Sequence, residues 1–242
     1  MSENQKKIWI TGASSGIGKA VAEKFAAEGW KVAVSARRKE LLQELATNEN
    51  IVSFPLDVTD QSQINTVFKN IISEFGNLDL CLFSSGTYEP KDEKNIDSEK
   101  IKNVIKVNFF GVVDCVKSVE EYFKSRKSGH ISIVSSIAGY RGLPNSSGYG
   151  PSKAALTNFC ESIYFDFKKF GVRVSIISPG FIKTAMTDKL NDKQQEAIKS
   201  QIPAGRMGDV SDIAFATLYL SSEESSYVTG STLHVNGGMA ML

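Results

Sequence analysis

Tyr149 and Lys153 stand four residues apart in the stretch GYGPSKAAL, residues 148–156. A phenol with an ordinary pKa near 10 is a poor acid and a poor base at neutral pH. An ammonium one helical turn away favours the phenolate and changes that. Four residues along a helix put both side chains on one face. Pro151 suits the first turn of such a helix, where its missing N–H leaves no hydrogen bond unmade. The pair fits a proton donor with its activator, and taken alone it fits ordinary helix surface equally well.

A second constellation lies near the start of the chain. TGASSGIG, residues 11–18, follows one apolar run and opens a helical window. Gly12 permits a tight turn, Gly16 lets backbone approach a phosphate, and Gly18 allows close helix–strand packing. Ser14, Ser15 and Ile17 fill the loop between them, and the free N–H groups of the helix start would face a pyrophosphate. The spacing is G-x-x-x-G-x-G, and a merely structural strand–turn–helix is the alternative. At the end of the next apolar run, VSARRKE has Ala36, Arg37 and Arg38 where an acid would hold a free ribose 2′-hydroxyl. A guanidinium there can hold a 2′-phosphate through paired charge-assisted hydrogen bonds. Each contributes about 1.5–3 kcal/mol, enough to prefer NADP(H) over NAD(H) by about ten-fold or more. The other reading makes both arginines solvated residues at the start of the next helix.

Elements that could position these groups alternate along the chain. Strand-like runs cover 7–12, 31–36, 51–56, 78–84, 130–136, 172–178 and 231–235, with helical windows at about 16–28, 38–47, 60–75, 98–126, 149–170 and 210–221. Several runs are apolar at nearly every position, as expected for a parallel sheet covered on both faces. We therefore expect a single-domain Rossmann fold over residues 1–242: a doubly wound, seven-stranded parallel sheet with helices on both faces. In the window 149–170, Phe159, Ile163, Phe167 and Phe170 mark one apolar face, with Ala155, Leu156, Cys160 and Tyr164 on another side. Such a helix is either a core helix or one packed on its own sheet and on a second subunit.

Composition excludes several classes. The 28 basic and 27 acidic residues nearly balance, against the clustered basic surface that nucleic acid requires. No apolar run approaches the roughly 20 residues of a membrane span. The polar start MSENQKK leads directly into a strand and is unlike a signal peptide. Cys81, Cys115 and Cys160 are odd in number and set in apolar contexts, which points to reduced core residues, no metal site and a cytoplasmic location. No G-x-S-x-G elbow is present, and both histidines, His130 and His234, fall in strand-like runs, against hydrolase or histidine-based catalysis.

Over nearly its whole length the chain resembles the short-chain dehydrogenase/reductase family. The resemblance rests on TGASSGIG, LDV at 56–58, Asn108 in VNFFG, the serines at 135–136, YGPSK at 149–153 and PGFIKT at 179–184, in that order. It implies that Tyr149 protonates a carbonyl oxygen as hydride arrives from a nicotinamide. Lys153 then lowers the tyrosine pKa and holds the nicotinamide ribose. Ser136 orients the carbonyl, with Ser135 the less favoured neighbour, and Asn108 supports a water relay behind the lysine. The same resemblance assigns Ser35, Arg37 and Arg38 to the 2′-phosphate of NADP(H), and Asp57 and Val58 to the adenine. Thr184 with Ile182 falls to the nicotinamide carboxamide, and Pro179 and Gly180 before them are also assigned to cofactor binding. FSSG at 83–86 departs from the family's N-N-A-G: Ser84 and Ser85 replace Asn and Ala before Gly86, at a strand brace beside the cofactor ribose. Tyr219 and Tyr227 have no family role and are expected to be packing residues.

The C-terminal third is similar to the 3-oxoacyl-(acyl-carrier-protein) reductases of fatty-acid biosynthesis. That implies an NADPH-dependent ketoreductase giving a 3-hydroxyacyl product, and a homotetramer or homodimer with the apolar GGMAML end packed at an interface. The middle of the chain fits that branch less well. Lys127 matches one carrier-docking position, Phe170 replaces a docking arginine, and Lys168 and Lys169 lie beside it. YRGLPNSSGYGPSKAAL is similar to broad-specificity NADP-dependent carbonyl reductases and 3-hydroxy acid dehydrogenases. The substrate is thus a small-molecule or acyl-carrier-bound carbonyl compound. A non-catalytic NADP-binding sensor is the reading from another class, and it would not need both Tyr149 and Lys153. Residues 186–203 are read as a substrate loop.

Overall fold

The computed structural model describes residues 5–89, 96–188 and 190–241. Seven strands form one sheet: β1 (Lys7–Thr11), β2 (Lys31–Ser35), β3 (Ile51–Ser53), β4 (Leu80–Phe83), β5 (Gly129–Val134), β6 (Val172–Pro179) and β7 (Thr232–Val235). They pair in parallel in the order β3-β2-β1-β4-β5-β6-β7. The chain builds outward from β1 through β2 to β3 and then crosses back to β4, so the winding reverses between β1 and β4. In such sheets ligands bind at the carboxyl ends of the strands, in the crevice at that switch point.

The crossover helices are α1 (Gly16–Ala27), α2 (Lys39–Leu45), α3 (Gln61–Phe75), α4 (Ser98–Ile105), α5 (Gly111–Arg126), α6 (Tyr149–Phe167), α7 (Asp192–Lys199) and α8 (Val210–Ser221). Alternation along β1 shows how the sheet is buried twice: Trp9 joins a core with Phe83, Val119, Phe123 and Ile163, whereas Ile8 and Ile10 join Val21, Phe25 and Ile213 on the other face. The first core lies under α3, α5 and α6, the second under α1 and α8, as the near-continuous apolar strands imply. The three cysteines are free and buried.

Three local features differ from the sequence expectations. The window 98–126 is interrupted by a π-helical turn at Lys106–Phe110, centred on Asn108. Residues 186–203 contain α7, whose Asn191 side chain accepts from the Gln194 N–H at 2.9 Å while the Gln194 side chain accepts from the Asn191 N–H at 3.0 Å. That capping box is a helix-start signal, and α7 escaped notice because it has no buried residue. Tyr219 and Tyr227 do not pack: Tyr219 shares the outward face of α8 with exposed Phe215, and Tyr227 is fully exposed.

Candidate active site

Most candidate residues lie at or beyond the carboxyl end of a strand; α6 supplies Tyr149 and Lys153, and the π-helical turn supplies Asn108. Beyond β1, Gly12 has φ +72°, and a side chain there would strike the backbone of Ser84 and Ser85 at 2.9 Å. A Cβ on Gly18 would meet the Gly12 carbonyl oxygen at 2.5 Å, so the helix sits on the turn as closely as glycine allows. Gly16 is also left-handed at φ +56°. Ser15 caps α1 without a side-chain hydrogen bond, which leaves the first helical N–H groups open toward the crevice. This is an anion cradle, and it fits a pyrophosphate.

Arg38 reaches across to that loop. Its guanidinium donates to the Ser14 hydroxyl at 2.8 and 3.2 Å and to the Ser15 hydroxyl at 2.7 Å. Among the described residues it has no acidic partner, and Arg37 beside it is exposed. Ser35 is not brought to this surface. It is buried, and its hydroxyl accepts from the Trp9 indole N–H at 2.9 Å, facing the core instead of a phosphate.

The FSSG departure retains its brace. The Ser84 hydroxyl donates to the Thr11 carbonyl at 2.6 Å, tying β4 to β1 at the switch point, and the Ser85 N–H lies 3.4 Å from the Thr11 hydroxyl. Asp57 closes its own turn, accepting from the Thr59 N–H and hydroxyl at 2.9 Å each. Val58 packs so tightly on the start of α5 that a Cβ on Gly111 would lie 2.8 Å from it. After β6, the Gly180 N–H donates to the Val235 carbonyl at 2.9 Å. Ile182 bridges Gly208, and the Thr184 N–H donates to the Thr187 hydroxyl at 2.9 Å. Pro179 ends β6, buried beside β7.

The reactive end is more enclosed. Tyr149 is the first residue of α6, and its phenol lies near enough to the Ser136 side chain for that group to bear on its pKa. Burial raises its pKa above the ordinary phenol value, the Ser136 side chain opposes this, and Tyr88 adds to the rise. Lys153 is 3% exposed, and its ammonium donates to the Val134 carbonyl at 2.9 Å, 5.6 Å from the centre of the Tyr149 ring. Burial lowers its pKa to about 8. The expectation that Lys153 lowers the tyrosine pKa is therefore not met in this structure: desolvation dominates, and the lysine turns toward a carbonyl. An ammonium has three N–H donors, so two remain for ribose hydroxyls.

The serines at 135–136 separate cleanly. The Ser135 hydroxyl donates to the Lys153 carbonyl at 2.9 Å and contacts the Thr157 hydroxyl at 2.9 Å, bracing α6. Ser136 caps the short turn Ile137–Gly139, accepting from the Ala138 N–H at 3.1 Å. Asn108 is fully buried: it accepts from the Thr87 N–H at 2.7 Å and donates to the Thr87 carbonyl and the Ser152 hydroxyl, each at 3.0 Å. A side chain on Gly86 would enter the space beside both Asn108 Oδ1, at 3.5 Å, and Lys153 Nζ, at 3.7 Å. Glycine keeps that space open. Thr87, Tyr88 and Ser152 also border this site, and nothing in the sequence marks them, since a π-turn and a loop's side-chain contacts leave no periodic signal.

Known proteins resemble this chain along almost its whole length. A family model described as enoyl-(acyl carrier protein) reductase matches residues 12–240. The 3-oxoacyl-(acyl-carrier-protein) reductase FabG of Salmonella typhimurium is 35% identical over 100% of both chains, and that of Escherichia coli is 36% identical over the same span. The chain belongs to the short-chain dehydrogenase/reductase family. It is an oxidoreductase, and its fold matches family members along almost its full length. The solved structure of ElxO with NADP bound superposes with a TM-score of 0.91 at 29% identity, covering 97% of this chain and 98% of that one.

Proposed function

We propose that this short-chain dehydrogenase/reductase is an NADPH-dependent ketoreductase acting on a 3-oxoacyl thioester to give the 3-hydroxyacyl product. One observation carries the reading: Ser136 after β5, Tyr149 and Lys153 on α6, and Asn108 on the π-helical turn are gathered at one place. The Lys153 ammonium lies 5.6 Å from the centre of the Tyr149 ring, Asn108 bonds Ser152 of α6, and both Asn108 Oδ1 and Lys153 Nζ border Gly86. A merely cofactor-binding sensor needs no such buried convergence. Reductase relatives and an NADP-bound neighbour support the cofactor and the carbonyl chemistry.

In this reading the open N–H groups of α1 hold the pyrophosphate, and Arg37 and Arg38 hold the 2′-phosphate without the Ser35 side chain. Asp57 and Val58 border the adenine. Ser85 and Gly86 border a ribose, and Ile182 with Thr184 borders the carboxamide. The bound dihydronicotinamide supplies hydride to the carbonyl carbon. Ser136 orients the carbonyl oxygen, and Tyr149 gives it a proton. A raised tyrosine pKa suits this direction, because the phenol stays protonated at neutral pH. Lys153 holds the ribose, and proton return to the phenolate runs through the space that Gly86 leaves between Lys153 and Asn108.

We further propose one domain over residues 1–242, a cytoplasmic location and a homotetramer or homodimer. No helix among the described residues is long and apolar enough to cross a membrane. Phe110, Phe165, Phe215 and Tyr219 on α8, and Tyr227 are exposed apolar groups suited to subunit contacts. The C-terminal end divides: Met239 is buried with Ile137, Ile202 and Met207, while Met241 is exposed and Leu242 lies outside the described residues.

A broader carbonyl reductase is the second reading. Phe170, where a docking arginine would lie, is flanked by the ammonium groups of Lys169 at 5.3 Å and Lys124 at 5.5 Å. Lys127 is close by, its carbonyl oxygen 3.0 Å from a Cβ built on Gly171. Lys124 is paired with Glu120 at 2.6 Å, so this position offers a carrier less free positive charge than a docking arginine would, which favours the second reading. The deciding experiment is a panel of acetoacetyl thioester, crotonyl thioester, a 3-oxo acid, a simple ketone and an aldehyde, each with NADPH and NADH. The proposal expects the highest kcat/KM for the acetoacetyl thioester with NADPH. Preference for the simple ketone favours the second reading, and preference for the crotonyl thioester means enoyl reduction and overturns both.

A further inference from the structure

We propose that Tyr88 is a positioning residue that fixes the ring of Tyr149 against the reacting carbonyl. The two rings meet edge to face, with centroids 5.6 Å apart and planes at 78°. Edge-to-face packing is a favoured aromatic geometry because the positive ring edge meets the negative face. Tyr88 is half-buried, and its hydroxyl has no hydrogen bond among the described residues, so no bond of its own directs it there.

Its placement comes from the preceding residue. One buried side-chain amide, that of Asn108, takes both polar groups of Thr87: Oδ1 accepts the N–H at 2.7 Å and Nδ2 donates to the carbonyl at 3.0 Å. The same amide donates to Ser152, within α6 and three residues after Tyr149. The π-helical turn, the loop after β4 and the start of α6 are thereby locked into one frame. Tyr88 is the residue through which the loop touches the reactive ring. Tyr88 meets the ring of Tyr149, and the Ser136 side chain lies near its phenol end. Without Tyr88, the ring of Tyr149 loses its edge-to-face partner. Small displacements of a reacting group are costly to rate and cost little in ground-state binding.

The inference rests on Tyr149 as the acid, and the test separates the two. Tyr88→Phe, Tyr88→Leu, Tyr88→Ala and Tyr149→Phe are compared for kcat and KM with the ketone reduced best in the panel, for NADPH binding by fluorescence, and for thermal unfolding. We expect kcat in Tyr88→Ala and Tyr88→Leu to fall about ten-fold, with KM and NADPH affinity within about two-fold of the parent. Tyr88→Phe, which retains the ring, should restore kcat to within about two-fold. If Tyr88→Ala does not fold, Tyr88→Leu carries the same expectation. A change in KM alone, unchanged kcat, or equal damage in Tyr88→Phe overturns the positioning role. Full activity in Tyr149→Phe overturns the reading beneath it.

Discussion

The two ends of the proposed dinucleotide crevice are built from opposite kinds of residue. At the phosphate end, Arg37 and Arg38 are exposed charges beside a loop of glycines and serines. At the nicotinamide end, Asn108 and Lys153 are all but removed from solvent, with every side-chain polar atom of Asn108 engaged. A phosphate brings its own charge and needs only donors at a surface. Proton transfer needs groups held in place before the substrate arrives, and burial supplies that at the expense of desolvating an ammonium. Substitutions at the two ends should therefore fail differently.

After loss of the Tyr149 hydroxyl itself, the largest effect is expected at Lys153. Lys153→Met should lower kcat by about a thousand-fold or more, because both the ribose contact and the charge are lost. Stability should hold or rise, since a buried ammonium is replaced by an apolar group of similar shape. A thermal melt well below the parent would remove the claimed contrast between function and stability. In the parent, the folded pKa of Lys153 is lowered to about 8 from 10.5. The unfolded chain binds that proton more tightly, so this group's contribution to stability rises from about pH 8 to 10.5. Reductive activity should fall over the same limb as the ammonium is lost, and a pH–rate profile flat to pH 9 would contradict the role.

Asn108→Ala should come next. It leaves Thr87 backbone groups unpaired in a buried setting, costing about 1–3 kcal/mol of stability, with kcat down about ten- to a hundred-fold. At the exposed end, Arg38→Ala should raise KM for NADPH about ten-fold while KM for NADH stays within about two-fold. Equal changes for both cofactors would dissolve the distinction between the ends. The smallest effect belongs to Ser84→Ala. Losing its hydrogen bond to Thr11 should cost about 1 kcal/mol, a fall in Tm of about 2–4 °C, with KM for NADPH little altered. A large KM effect would mean that the serine touches the cofactor directly.

What could be read from the sequence divides along the same line. The seven parallel strands, the helices between them and the glycine loop beyond β1 follow from apolar runs and glycine spacing, so the anion cradle was legible, whereas the order of the strands in the sheet was not. Tyr149, Lys153, Ser136 and Asn108 were legible as types at given separations. The direction of their hydrogen bonds was not: Lys153 turns to the Val134 carbonyl, and Asn108 holds Thr87 through a π-turn that no 3.6-residue periodicity reveals. Ser35 was misjudged because β2 is buried on both faces, so alternation along it did not say which side chain faces inward. Tyr219 and Tyr227 were misjudged because aromatic character alone does not separate a core face from an exposed one.

The most direct test compares the parent and Tyr149→Phe in one assay of NADPH oxidation by acetoacetyl thioester, with NADPH binding measured by fluorescence in the same preparations. The account predicts that turnover falls to the limit of detection while the NADPH dissociation constant stays within about two-fold, since the phenol acts in the transition state and the phosphates are held elsewhere. Turnover in Tyr149→Phe within ten-fold of the parent would contradict it, because a ring without a hydroxyl has no proton to give.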